Sequence, residues 1–199
     1  MKKKNLEMLK TFLQVIRNNP CAIEKVIPNM YCKDFYHVDE LFLLNQGINK
    51  LIIDIDGTIL PADSIDVDGI LIEKILRLKS RNIDICLVSN NKKERVLPVA
   101  DKLEVKCLYE ADKPLPIAFD NAMKKLNTTN KNEVAMIGDQ MLSDIRGANE
   151  YGIYSVLVRP ISKHQNIQTG TSRFLQNRME KHLKKIKKFD KDIFYKNAK

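Results

Sequence analysis

From residue 50 onward the chain alternates between two apolar patterns. Leu51–Asp56, Ile83–Ser89, Val105–Tyr109, Glu133–Gly138 and Ile153–Val158 hold short apolar runs that read as buried strands of a parallel sheet. Between them, Asp68–Arg81, Lys92–Leu103, Pro114–Leu126 and Leu142–Tyr151 repeat apolar residues at helical spacing. In the first of these helices the expected buried set is Ile70, Ile72, Ile75, Leu76 and Leu78. Pro114 stands near a first turn, where its missing N–H costs least, and Gly152 closes the last helix. Strands alternating with helices predict an α/β fold with a doubly wound parallel sheet, Rossmann-like, helices covering both faces. Ligands of such sheets bind at the carboxyl ends of the strands.

The flanks read differently. Leu6, Leu9, Leu13 and Ile16, with Phe12 beside them, predict a short amphipathic helix ended by Asn18-Asn19-Pro20. Residues 20–37 read as an irregular connector, and Val38–Gln46 as a helix stopped by Gly47. The expected organisation is an N-terminal extension over 1–49, a catalytic core over 50–160, and a basic helix and tail over 161–199. Of the net charge of +9, the tail carries +8: eleven Lys or Arg against three acids. The basic character therefore belongs to the tail and need not describe the active surface. No apolar run approaches the ~20 residues that span a bilayer. Met1-Lys2-Lys3-Lys4 is followed by a stretch too polar for a secretory signal. The four cysteines lack a CxxC pair and read as reduced thiols. A cytoplasmic protein is expected.

The candidate chemistry lies just after each strand. Asp54 and Asp56 follow the first, separated by one residue and trailed by Gly57-Thr58. Alternate residues of an extended chain share a direction, and paired carboxylates repel unless a cation or proton lies between them. That suits an oxygen-ligand metal site with one carboxylate left to react; a plain Asp-Gly turn is the simpler reading. Ser89-Asn90-Asn91, Asp112-Lys113-Pro114, Gly138-Asp139-Gln140 and Ser143-Asp144 follow the later strands. Singly, each has a structural reading: a helix cap for Ser89, a solvated loop lysine for Lys113, dipole-favoured acids for Asp139 and Asp144. Together they fit phosphoryl transfer through an aspartate. A carboxylate attacks phosphorus, magnesium takes oxygen ligands, a lysine and a hydroxyl hold phosphoryl oxygens, and a second acid serves the leaving group and then water.

Asp54-x-Asp56-Gly57-Thr58, Ser89, Lys113 and Gly138-Asp139-x4-Asp144 resemble the four motifs of the haloacid dehalogenase-like superfamily. A narrower likeness is to its subfamily IIIA, YqeG-type members, related to phosphatidylglycerophosphate phosphatase. It rests on Val26-Ile27-Pro28, Phe35-Tyr36-His37-Val38, Val88-Ser89-Asn90-Asn91, Ile137 through Asp144, and Ser172-Arg173-Phe174. Close relatives often carry Asn where Gly57 stands. The resemblance implies that Asp54 is nucleophile and metal ligand. Asp56 is then general acid/base and gives its backbone carbonyl to Mg2+. Ser89 and Lys113 bind the phosphoryl group, with Thr58 and Asn90 nearby. Asp139 ligates the metal, and Asp144 supports its water shell or Lys113. The implied substrate is a phosphomonoester, with a phosphatidylglycerophosphate-like lipid head group at an anionic membrane surface as the leading candidate. A soluble nucleotide or sugar phosphate is the alternative within the same chemistry. A non-catalytic module that binds nucleic acid or protein through the basic tail is the alternative outside it.

The motif spacing leaves no room for a large cap domain: Thr58 to Ser89 and Ser89 to Lys113 are each filled by a helix and a strand. In the tail, Leu175, Met179, Leu183 and Ile186 form an apolar stripe among Lys and Arg residues. It either packs on the sheet or lies at a membrane surface, peripherally.

Overall fold

The computed structural model describes residues 3–161 and 167–189, with side chains of the last helix described from Phe174 on. The side chains of Ser172 and Arg173 of the resemblance, and the tail beyond Phe189, lie outside that description. Six strands form one sheet: β1 (Met30–Cys32), β2 (Lys50–Ile53), β3 (Asp84–Val88), β4 (Lys106–Leu108), β5 (Val134–Gly138) and β6 (Tyr154–Val158). Their order is β1-β6-β5-β2-β3-β4, and every neighbouring pair is parallel. Eight α-helices accompany them among the described residues: α1 (Lys3–Ile16), α2 (Pro20–Val26), α3 (Glu40–Asn45), α4 (Gly69–Ser80), α5 (Lys93–Leu103), α6 (Pro116–Lys125), α7 (Arg146–Tyr151) and α8 (Ile167–Lys185).

Strand alternation divides the core into layers. Leu51, Ile53, Ile85, Leu87, Ala135 and Ile137 face α4 and α5. Ile52, Cys86, Val88, Val134 and Met136 face α6 and α7. On that second side, Tyr31 and Leu157 continue into a cluster with Phe12 and Val15 of α1, Ile23 and Val26 of α2, and Met179 and Leu183 of α8. The result is an α/β fold with helices on both faces and helical elements at both ends of the chain. Only one loop, α4 and β3 lie between Thr58 and Ser89, and only α5 and β4 lie between Ser89 and β4's exit, so neither interval holds an inserted domain.

Four details differ from the sequence reading. Residues 20–37 are not an irregular connector. They contain α2, capped by Asn19, and β1, which pairs with β6 as the sheet's sixth strand. Three residues and two nearby prolines are too short a strand signal for periodicity to register.

In α1, Leu6, Leu9 and Leu13 are exposed, and Phe12 and Val15 turn inward with Met8 and Ile16 partly buried. The helix carries two apolar stripes, and pattern alone cannot say which meets the core. In α4 the stripe facing the sheet is Leu71, Lys74, Ile75 and Leu78, leaving Ile70 and Leu76 outside. One position of that stripe is a lysine. Its ammonium bonds the Val38 carbonyl at 2.9 Å and Glu40 at 2.8 Å, which satisfies a buried cation.

Finally, α6 begins at Pro116, because a turn closed by the Leu115 N–H on the Asp112 carbonyl at 2.9 Å precedes the helix. The tail stripe packs against α1 and the Met141–Ile145 turn, with Met179 and Leu183 wholly buried.

Candidate active site

β2 delivers the first two acids. Ile53 lies opposite Leu87 and Ile137, and the Asp54 N–H still donates to the Ile137 carbonyl at 2.9 Å. There the ladder stops. Gly57 takes φ +89°, a left-handed turn that glycine alone adopts freely. The N–H groups of Thr58, Ile59 and Leu60 fold back on the Ile55 carbonyl at 3.1–3.2 Å. Ile55 enters the core, and Asp54, Asp56 and Thr58 stay at the carboxyl edge of the sheet, each nearly or wholly buried. Because β3 and β5 end in the same register, Ser89 and Asp139 follow one step beyond the residues level with Asp54.

Lys113 joins the motifs. Its side chain is 2% exposed, and its Nζ donates to Asp54 Oδ1 at 2.6 Å and meets Asp144 Oδ1 at 2.8 Å. Burial alone would lower this lysine's pKa. The Asp144 and Asp54 carboxylates outweigh burial and raise it, so the ammonium stays charged. The Asn90 side chain fixes the lysine's backbone, accepting from its N–H at 2.7 Å and donating to its carbonyl at 2.9 Å. Asp144 is held in turn by the Gln140 N–H at 3.1 Å and the Ser143 hydroxyl at 3.2 Å. A Cβ on Gly138 would overlap the Asp144 carboxylate, so only glycine leaves that acid room.

Asp56 has its own set of partners. Arg95 donates to its Oδ1 through Nε at 2.9 Å and Nη2 at 2.6 Å. Asn91 donates to Oδ2 at 2.7 Å, and the Ser89 hydroxyl lies 3.5 Å from the same oxygen. The Thr58 hydroxyl reaches Asp54 Oδ2 at 3.4 Å.

The acids converge. Oxygens of Asp54, Asp139 and Asp144 lie within 4.8 Å of one another, all three residues buried. Burial raises the Asp54 pKa well above the carboxylate range; Lys113 opposes this, and Asp144, Asp139 and Asp56 add to it. Four acids face only two cations, Lys113 and Arg95, and a further cation would relieve the crowding of carboxylates around Asp54. An all-oxygen, carboxylate donor set fits a hard divalent cation such as Mg2+.

With this geometry in view, the relatives fall into place. A family profile described as haloacid dehalogenase-like hydrolase matches residues 8–152. The chain belongs to the haloacid dehalogenase-like hydrolases. It is 29% identical over 159 residues to the "Probable phosphatase YqeG" of Bacillus subtilis (strain 168), covering 80% of this chain and 92% of that protein. Membership and that kinship make this hydrolase an enzyme of the superfamily's YqeG-type phosphatases. Among solved structures, an uncharacterized protein from Listeria monocytogenes serotype 4b matches with a TM-score of 0.46 at 16% identity, over 60% of this chain and 85% of that one. A hypothetical protein from Xanthomonas campestris matches with a TM-score of 0.47 at 11% identity, over 75% of this chain and 91% of that one.

All eight site residues read from the sequence of this hydrolase lie at the carboxyl edge or on the loops behind it. Two contributors, Arg95 and Gln176, were missed, and a third, Asn91, was read as part of a strand-end stretch without a role of its own. Asn91 and Arg95 hold Asp56. Gln176 of α8 holds the loop after β5, donating to the Asp139 carbonyl at 2.8 Å and accepting from the Met141 N–H at 3.0 Å. Arg95 had a signal: a cation in the first turn of a helix opposes the dipole and asks for a partner. Gln176 had a weaker one, a polar residue three and seven positions before the buried Met179 and Leu183. Gln176→Leu removes both bonds to the Asp139 loop. The expected result is a rise of about 10- to 100-fold in the Mg2+ concentration that half-saturates activity. A purely structural role would lower the melting temperature and leave that midpoint in place.

Proposed function

We propose that this enzyme is a magnesium-dependent phosphomonoesterase that works through an aspartyl-phosphate on Asp54, with a lipid phosphate as its substrate. The observation that carries the chemistry is the Lys113 ammonium bonded to Asp54 and Asp144 beside Asp139. Asp54 attacks phosphorus, and the bond to the leaving oxygen breaks as Asp56 gives that oxygen a proton. Asp56 then takes a proton from the water that attacks phosphorus, and the bond to Asp54 breaks. Lys113, Ser89 and Thr58 hold the phosphoryl oxygens. Asp54, Asp139 and the Asp56 backbone carbonyl would hold Mg2+, which when bound offsets the charge of the phosphoryl group. Asp144 has both oxygens engaged already, which favours a role in fixing Lys113 over direct ligation. Asn90, its amide taken up by the Lys113 backbone, serves as a brace in place of a direct phosphate ligand.

The lipid part rests on the rim. Exposed apolar side chains stand on three segments tied to the site. Ile65 is 51% exposed and follows Ser64, whose carbonyl accepts from Arg95. Ile161 is 40% exposed, and its N–H bonds the Gly57 carbonyl at 2.9 Å. Tyr109 is 40% exposed and precedes Glu110, whose N–H bonds the Asn91 carbonyl at 2.8 Å. With no inserted domain above them, they suit an interfacial substrate. α8 presents exposed Arg178, Lys181 and Lys185, which suit an anionic surface.

The test is Mg2+-dependent phosphate release from a phosphatidyl phosphomonoester in vesicles, with and without anionic lipid. Turnover is expected to rise with anionic lipid and fall as salt screens the surface. Strong preference for a small soluble nucleotide or sugar phosphate would overturn the lipid part and leave the phosphatase chemistry standing.

A further inference from the structure

Both carboxylate oxygens of Asp56 are taken up by neighbouring side chains. One of its oxygens receives two bonds from the Arg95 guanidinium and the other a bond from Asn91. The same guanidinium also donates to the carbonyls of Ser64 and, at 2.8 Å, Pro61. Four donors of one side chain thus lock the second acid to the 61–64 loop and to the start of α5. The pair is nearly buried, with side-chain exposures of 14% for Arg95 and 8% for Asp56. A buried carboxylate bonded in this way is strongly fixed, and a buried guanidinium requires an anion if its carboxylate turns away.

We propose that Arg95 determines substrate specificity by recognising a second negative group on the leaving-group side of the substrate. This rests on the phosphatase reading above and names its substrate class: phosphomonoesters whose alcohol portion also carries a carboxylate or phosphodiester. The second acid marks the side on which the leaving oxygen departs, and Arg95 is the cation bonded to that acid. A substrate anion that accepts the guanidinium's planar fork replaces Asp56 as its partner. Asp56 is then released to turn toward the leaving oxygen. A substrate with a neutral alcohol leaves the fork on Asp56 and reacts slowly.

The experiment compares three soluble substrates with the full-length enzyme and Mg2+: glycerol 3-phosphate, 3-phosphoglycerate, and glycerol 3-phosphate bearing a methyl phosphodiester on its other primary hydroxyl. The anionic pair is expected to exceed the neutral substrate in kcat/KM by at least about tenfold, the discrimination of one charge-assisted forked contact. The two anionic arms tell carboxylate from phosphodiester. Arg95→Gln is expected to bring the ratio to within about twofold of unity, by raising KM for the anionic substrates and by freeing Asp56 to raise kcat for the neutral one, and Arg95→Lys to keep part of it. The ratio is read within one protein, so a smaller folded fraction does not alter it. A wild-type ratio near one overturns the proposal, as does an Arg95→Gln enzyme that keeps the wild-type ratio. If Arg95 only braces the 61–64 loop, the variant slows all three substrates equally. Failure to hydrolyse any of the three, or any aryl phosphate, would instead count against the phosphatase reading itself.

Discussion

Replacing Asp54 with asparagine is expected to remove turnover of every phosphomonoester, by a factor on the order of 10⁴ or more, because the attacking oxygen is lost and no neighbour can stand in for it. Asparagine nearly matches aspartate in shape, so the fold should persist. It should even gain. Burial raises the Asp54 pKa, and the Asp144, Asp139 and Asp56 carboxylates push further in the same direction against Lys113. A neutral side chain relieves that repulsion. The metal-free variant is therefore expected to melt above the metal-free parent, and Mg2+, which should raise the parent's melting temperature by binding the folded state, should raise the variant's far less. Thermal melts with Mg2+ and with a chelator check both signs alongside the rate. A variant less stable than the parent without metal would mean that Lys113, not the surrounding acids, dominates Asp54's energetics.

Lys113→Met is expected to combine loss of activity with loss of stability. The ammonium is buried and bridges two buried carboxylates at 2.6 and 2.8 Å. Removing one partner of such a pair leaves uncompensated charge, at a cost of about 3–5 kcal/mol. The same change deletes a cation that would hold the phosphoryl oxygens, worth about 10²- to 10³-fold in kcat for one such donor. Denaturant melts should show the deficit, and added Mg2+ should recover part of it by supplying positive charge to the same carboxylates. Full stability without metal would contradict the assignment of Lys113 as the charge that holds Asp54 and Asp144 together.

Much of this was legible in the chain because strand-end residues are fixed by the sheet. Once Leu51–Ile53, Ile85–Val88 and Val134–Ile137 are strands, the register must bring Asp54, Ser89 and Asp139 to one edge. Lys113 lies on the loop after β4 and Asp144 on the helical turn Met141–Ile145; neither is fixed by the sheet register, and their roles were legible only through the resemblance of the motifs. What escaped the sequence depends on packing choices that periodicity does not encode. β1 has three residues and is a strand only because β6 offers it an edge. Two apolar stripes on α1 compete for one core. Arg95 and Gln176 bond the site from helices whose approach is set by tertiary contacts, so their roles emerge only when α5 and α8 are seated.

The central claim is that Asp54 captures the phosphoryl group. Acid-quenching the enzyme during turnover of a phosphomonoester in Mg2+, followed by peptide mass spectrometry, tests it directly. The account predicts a phosphoryl group on the peptide containing Asp54, sensitive to hydroxylamine as an acyl phosphate is, and absent in Asp54→Asn. A phosphoryl group trapped on a different residue, or turnover that persists in Asp54→Asn, would contradict it.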